Sequence, residues 1–188
     1  EWAHGTHVAG ILAAKTDNGL GMSSTMFNGK ILSVKCSRDA SIEPLINDGY
    51  DGITYAAKAA CPNPQEECQT RTIINCSWGG GGNNTFEQSV INNAFNTYGA
   101  IVVAAAGNGD EDATGQTEEY AAHYPASYEN VISVTALGQN DSWNHWATYH
   151  ESVDLSSPGE GIRSTKINNG YTSWSGSSMA SPIAAGTI

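Results

Sequence analysis

Three glycine-flanked points along the chain carry residues whose chemistry could combine. They are His4-Gly5-Thr6-His7-Val8-Ala9-Gly10, Ala104-Ala105-Ala106-Gly107-Asn108-Gly109 and Gly176-Ser177-Ser178-Met179-Ala180-Ser181-Pro182. A histidine at the head of a helix, next to glycine, can present its imidazole at a cleft and act as a general base. Two histidines one turn apart are also compatible with a metal pair or with ordinary polar residues. A serine at a helix N-terminus lies among unpaired backbone N–H groups, where the helix dipole favours an anion. That suits an alkoxide nucleophile and the oxyanion it generates; the plainer alternative is an N-cap serine. An asparagine between glycines at the end of a buried strand can donate its amide to developing negative charge, or simply make a turn.

The three motifs are far more specific together than apart. In this order, each in a full local motif, they resemble the subtilase family of subtilisin-like serine peptidases over essentially the whole chain. The resemblance implies that His4 is the general base and His7 is structural. It makes Ser178 the nucleophile, with Ser177 where the family usually has threonine, and Asn108 the oxyanion donor. Ile74-Asn75-Cys76-Ser77-Trp78-Gly79-Gly80 is similar to the family segment whose exposed edge pairs with substrate backbone. Ser77, Trp78 and Gly79 would then form one wall of the specificity pocket, and Ala105, Ala106 and Gly107 the opposite wall, with Tyr124-Pro125-Ala126 nearby. Thr16-Asp17-Asn18-Gly19-Leu20-Gly21-Met22 is similar to a family calcium loop, in which the Asn18 side chain and the carbonyls of Lys15, Leu20 and Met22 would face Ca²⁺. A glycine turn ending a helix explains the same residues. No organic cofactor is implied.

The function implied is endopeptidase action on extended polypeptides through an acyl-enzyme. An inert homologue that binds peptides is the alternative from another class. An α/β-hydrolase esterase needs a glycine two residues after the serine and a later histidine; Ala180 stands at the first position, and no histidine follows His150.

These motifs need elements to position them. Val8, Ile11 and Leu12 at helical spacing predict a helix from His4 to about Ala14, ending at Asp17-Asn18-Gly19. Short apolar runs predict strands at 30–36, 72–76, 100–106 and 130–136. Helical periods run over 42–60 (Leu45, Ile46, Ile53, Ala57) and 86–98 (Val90, Ile91, Ala94, Phe95), and a last helix begins near Ser178. Alternating strands and helices predict an α/β fold with a parallel sheet covered on both faces. The resemblance makes it the three-layer subtilisin-like fold, lacking here its N-terminal central strand. No linker or repeat divides the chain, so residues 1–188 read as one partial catalytic domain, truncated at both ends.

Charged residues are only 14% of the chain, yet nineteen acids against eight bases leave a net charge of −11, which argues against nucleic acid and anionic membranes as partners. No apolar run is long enough to span a bilayer. The acidic stretch Asp110-Glu111-Asp112, with Glu118 and Glu119, reads as a solvated loop, or as a bias toward basic substrates or a second cation site. Cys61 and Cys68 bracket a short polar loop that closes easily into a disulfide, whereas Cys36 and Cys76 read as free core thiols. The disulfide suits a secreted or extracytoplasmic protein, and a pro-region is expected in the full-length parent.

The family's aspartate precedes its histidine by roughly thirty residues. Here only Glu1, Trp2 and Ala3 precede His4, and no Asp-Thr-Gly or Asp-Ser-Gly occurs. Losing the strand that ends in that aspartate would strand buried N–H and C=O groups on both neighbours. It would also leave His4 without the carboxylate that fixes its tautomer, a loss of about 10⁴ in turnover where measured in a related triad. Residues 1–188 expressed alone are therefore expected to show no cooperative thermal melt and no peptide hydrolysis. A cooperative transition with parent-like activity would refute that expectation.

Overall fold

The computed structural model describes residues 3–38, 45–65, 72–109, 121–143 and 145–188. Its centre is a parallel sheet of four strands in spatial order β1 (Ile73–Cys76), β2 (Ile101–Ala105), β3 (Val131–Leu137) and β4 (Leu155–Pro158). Ile73 lies opposite Ile101, Val102 opposite Val131 and Val134 opposite Leu155. The inner strands are nearly continuous apolar runs because both of their faces are covered. Side-chain alternation sorts β2 between two cores. Val102 and Ala104 join Ile53, Ala57, Ile91 and Ala94 on the side of helices α2 (Gly49–Ala60) and α3 (Thr85–Asn96). Val103 points the other way, to Val134, Ala180 and Ala184, under α4 (Ser177–Ala185), with α1 (His4–Ala13) packed beside α4. The layers are helix, sheet, helix, as the sequence predicts.

Several expectations need correction. Residues 30–36 form no strand, and Ile31 and Leu32 are each 51% exposed. Apolar character alone does not make a strand; a hydrogen-bonded neighbour does, and none of the described residues runs alongside. The helix expected from residue 42 begins at Gly49, leaving Leu45 and Ile46 exposed; residues 42–44 lie outside the described residues. On α3, Ile91 and Ala94 are buried as expected, but Phe95 is 43% exposed, because one residue beyond Ala94 the helix has turned about 100° from the core.

The hairpin of β5 (Ile162–Lys166) and β6 (Gly170–Trp174) was not read from the sequence. Its strands are short and polar, so they give no apolar signal. The available signal is the turn Asn168-Asn169-Gly170, where both asparagines take positive φ (62° and 55°), as a tight hairpin requires. This hairpin docks on α1 through hydroxyls: Ser164 Oγ donates to the His7 carbonyl (2.6 Å) and Thr165 Oγ1 to the Thr6 carbonyl (2.8 Å). Cys36 and Cys76 are free thiols, as expected, and burial pushes both thiol pKa values up. Cys61 is buried, while Cys68 lies outside the described residues.

Two glycines of α1 separate helix propensity from packing. A Cβ on Gly5 would meet nothing within 4 Å, whereas one on Gly10 would lie 2.3 Å from Thr165 Oγ1 and 2.4 Å from Ser164 Oγ. Those hydroxyls are held by the hydrogen bonds just described and cannot swing away freely. In the full-length protein, Gly5→Ala should raise stability by up to about 1 kcal/mol through propensity. Gly10→Ala should lower it by about 1–3 kcal/mol through overpacking. Urea midpoints check both, and equal shifts would mean that the α1–hairpin contact is slack.

Candidate active site

Because the strands are parallel, the carboxyl ends of β1 and β2 open on the same edge as the head of α4, and the site assembles there. Ser178 is the second residue of α4, and Pro182 stands four residues later. Proline has no N–H, so the Ser178 carbonyl has no donor within its own helix. Ser77, just past the end of β1, supplies one: its Oγ donates to that carbonyl at 2.8 Å. In return Ser178 Oγ donates to the Ser77 carbonyl at 3.2 Å. Asn75 completes the tie, donating from Nδ2 to Ser77 Oγ (2.9 Å) and accepting from Ser181 Oγ (2.7 Å).

A second tie joins α4 to β2. Asn108 Oδ1 accepts from both the backbone N–H and the hydroxyl of Ser177, each at 2.8 Å. The Gly107 N–H in turn donates to Ser177 Oγ at 3.2 Å. With its oxygen so used, the amide turns Nδ2 toward Gly176, whose missing Cβ would lie 3.3 Å from that nitrogen. Gly176 (φ 153°) and Gly107 (φ 111°) both take backbone conformations that L side chains rarely adopt. Ser177, where the family resemblance puts threonine, is thus the residue that orients Asn108. Trp78, Gly79, Ala105, Gly107, Asn108 and Ser178 line one cleft of about 410 Å³. His123 and Thr148 also line it, and sequence reasoning missed both.

His4 heads α1, exposed, with its ring stacked at 6.5 Å and 15° on Trp174. The same indole stacks on His7 at 4.5 Å and 18°, so one tryptophan, also missed in the sequence, sets both imidazoles. His7 is fully buried, its Nε2 3.2 Å from the Thr172 carbonyl. Among the described residues no hydrogen bond holds the His4 ring, and the Ser178 hydroxyl points to Ser77 instead of His4. The cleft therefore gathers Ser178, Asn108, Trp78 and Gly79 of one expected wall and Ala105 and Gly107 of the other, while Ser77, Ala106 and His4 stand outside its lining.

The loop after α1 forms a second, shallow concavity lined by Asp17, Asn18, Leu20 and Met22. Asn18 Oδ1 accepts from the Leu20 N–H at 3.0 Å, an Asx turn that leaves the oxygen one lone pair. The Asn18 amide oxygen and the Asp17 carboxylate are hard oxygen donors of the kind Ca²⁺ takes, while Lys15, also expected at this site, is not part of its lining. Among the described residues no group of three His, Cys, Asp or Glu side chains could hold a metal. The acidic stretch 110–120 lies outside the described residues. No helix of the described residues is long and apolar enough to cross a membrane.

A helix-head serine and a strand-end asparagine meeting at the carboxyl edge of a parallel sheet are the architecture of subtilisin-like proteases. The chain belongs to the subtilase family, whose sequence model matches residues 1–188. It is 40% identical over 183 residues to thermitase of Thermoactinomyces vulgaris, covering 97% of this chain and 58% of that protein. The major intracellular serine protease of Bacillus subtilis is 34% identical, with 98% of this chain and 53% of that protein covered. Among solved structures, a protease of Pseudoalteromonas arctica superposes with a TM-score of 0.77 at 30% identity, covering 97% of this chain and 56% of the other. The chain thus spans little more than half the length of these relatives.

Desolvation lowers the pKa of the buried His7 and also that of His4, whose ring stays open to solvent on one side, and for His4 the neighbouring His7 lowers it further. Each folded value lies below the ordinary 6.5, so the unfolded chain takes up protons first as pH falls. The stability these imidazoles contribute is whole above about pH 6.5 and is lost as pH drops through their folded values. NMR titration of the ring protons of the full-length protein should give a midpoint below 6.5 for His7. A His4 midpoint at or above 6.5 would reveal a carboxylate beside it.

Proposed function

We propose that the full-length protein is a serine endopeptidase and that residues 1–188 carry its nucleophile, general base and oxyanion site. The observation behind this reading is the pair of ties that place Ser178 and Asn108 on one cleft. Ser178 Oγ attacks the scissile carbonyl while His4 accepts its proton. The peptide C–N bond breaks as His4 returns that proton to the leaving amine. Water then attacks the acyl-enzyme, with His4 again the base. The Asn108 amide and the Ser178 N–H hold the oxyanion; the corresponding asparagine of subtilisin is worth about 10²–10³ in turnover. To engage His4, the Ser178 hydroxyl must leave the Ser77 carbonyl. An aspartate ahead of His4 would orient the ring, which stacking on Trp174 alone leaves free to choose its tautomer.

Substrate would bind as an added strand between the edges at Ser77–Gly79 and Ala105–Gly107, which favours extended polypeptides over folded ones. Subtilases need no organic cofactor. A structural Ca²⁺ held by the Asn18 side chain and the carbonyls of Lys15, Leu20 and Met22 would brace the loop after α1, and added Ca²⁺ should then raise the melting temperature. A Cys61–Cys68 disulfide, secretion and a pro-region complete the proposal; the similar Bacillus subtilis protease is named intracellular, so family alone does not fix the compartment.

A fluorophosphonate probe should label Ser178 of the full-length protein, and Ser178→Ala should abolish both labelling and peptide hydrolysis. Asn108→Ala should lower kcat by about 10²–10³ with little change in KM. An unlabelled, inactive protein that still binds peptide would instead be the inert homologue.

A further inference from the structure

The far end of the cleft is built around a residue that none of the three motifs contains. His123 sits between the two glycine walls. A Cβ on Gly79 would lie 2.5 Å from His123 Nε2, and one on Gly107 would lie 3.2 Å from its Cγ and 2.9 Å from Thr148 Oγ1. Both walls therefore lack side chains just where the imidazole and the threonine hydroxyl approach. The position is rigidly held. Gly80 and Tyr124 exchange backbone hydrogen bonds of 2.9 and 2.8 Å, which join this segment to the Trp78 wall. The His123 N–H donates to Ser127 Oγ (3.1 Å), which pairs with Ser152 Oγ (2.7 Å), itself 2.9 Å from His150 Nδ1. So much anchoring of the backbone contrasts with the ring, whose nitrogens have no hydrogen-bond partner among the described residues yet are not sealed from the cleft.

We propose that His123 is a specificity-determining residue: with Thr148 it closes the pocket next to Ser178 and selects a substrate side chain ending in a carboxamide, above all glutamine, over an aliphatic one of equal length. The proposal rests on the peptidase reading given above. Burial holds the His123 pKa below its ordinary value, so the ring is neutral at neutral pH. A neutral imidazole offers one donor and one acceptor, and a carboxamide offers the complementary pair. An aliphatic side chain would cover those groups and displace their water without replacing its hydrogen bonds. Sites built around buried hydrogen-bonding groups discriminate most strongly against analogues that leave them unpaired. Gln and Met have nearly the same length and shape, so their ratio isolates the polar contribution.

The test uses the full-length protein, with active sites counted by fluorophosphonate titration, and two peptides differing only in Gln or Met before the scissile bond. Wild-type kcat/KM should favour Gln by about tenfold. His123→Phe keeps a ring between the glycine walls and should bring the ratio to one or invert it, while His123→Asn should retain most of the preference. A wild-type ratio at or below one, or the same ratio in His123→Phe, would overturn the assignment. If His123→Phe does not fold, loss of the preference in Thr148→Val takes its place, and an unchanged ratio there counts against the proposal. A wild-type protein that neither takes the probe nor cuts either peptide would instead overturn the peptidase reading, and with it this one.

Discussion

The site depends on one missing hydrogen-bond donor. Pro182 cannot satisfy the Ser178 carbonyl within α4, and a buried carbonyl left unpaired costs on the order of 1–3 kcal/mol. Ser77 removes that cost only if the end of β1 lies against the first turn of the helix. The position of the helix head is thereby set relative to the sheet. The Ser177–Asn108 pair repeats the device one strand over, so the first turn of α4 bridges the carboxyl ends of two adjacent parallel strands. Each neutral bond nets about 1 kcal/mol at best. Their larger effect is to allow a single geometry.

The same economy of small groups runs through the layers around the site. Hydroxyls and alanines, not large apolar side chains, hold the elements at the functional edge. Ser157 Oγ reaches the Ala180 carbonyl at 2.9 Å, Thr135 Oγ1 bonds the Thr148 carbonyl, and Ser164 and Thr165 clasp α1. Short side chains bring backbones close, and they lose little rotamer entropy when fixed. On the other face of the sheet, Ile53, Ile91, Tyr50 and Trp78 fill the space under α2 and α3.

The two histidines of α1 show how one helix turn separates roles. His7 is sealed beneath Trp174 and spends Nε2 on a backbone carbonyl, so its function is to hold the hairpin to the helix. His4, three residues earlier, meets the edge of the same indole with both nitrogens unpaired among the described residues. Desolvation favours the neutral form of each, and at His4 the neighbouring His7 adds to it; the neutral imidazole is the form a general base needs. A neighbouring carboxylate would act in the opposite sense on His4 and fix its tautomer.

The sequence by itself determined what local pattern can carry. Apolar runs marked β1, β2 and β3, helical periods marked α1 and α3, and the motifs around His4, Asn108 and Ser178 marked the family. Each element is a property of one short stretch, readable without knowing what lies opposite. The tertiary structure decided everything that needs a partner far along the chain. It denied a strand to residues 30–36, which look like one but have no described neighbour to pair with. It made strands of 162–166 and 170–174, which have little apolar signal but pair with each other and dock on α1. It also gave Ser177, Trp174 and His123 their positions, none of which follows from residue type. A strand or a pocket is a relation between segments, and hydrogen bonds across 70 or 100 residues leave no mark on either segment alone.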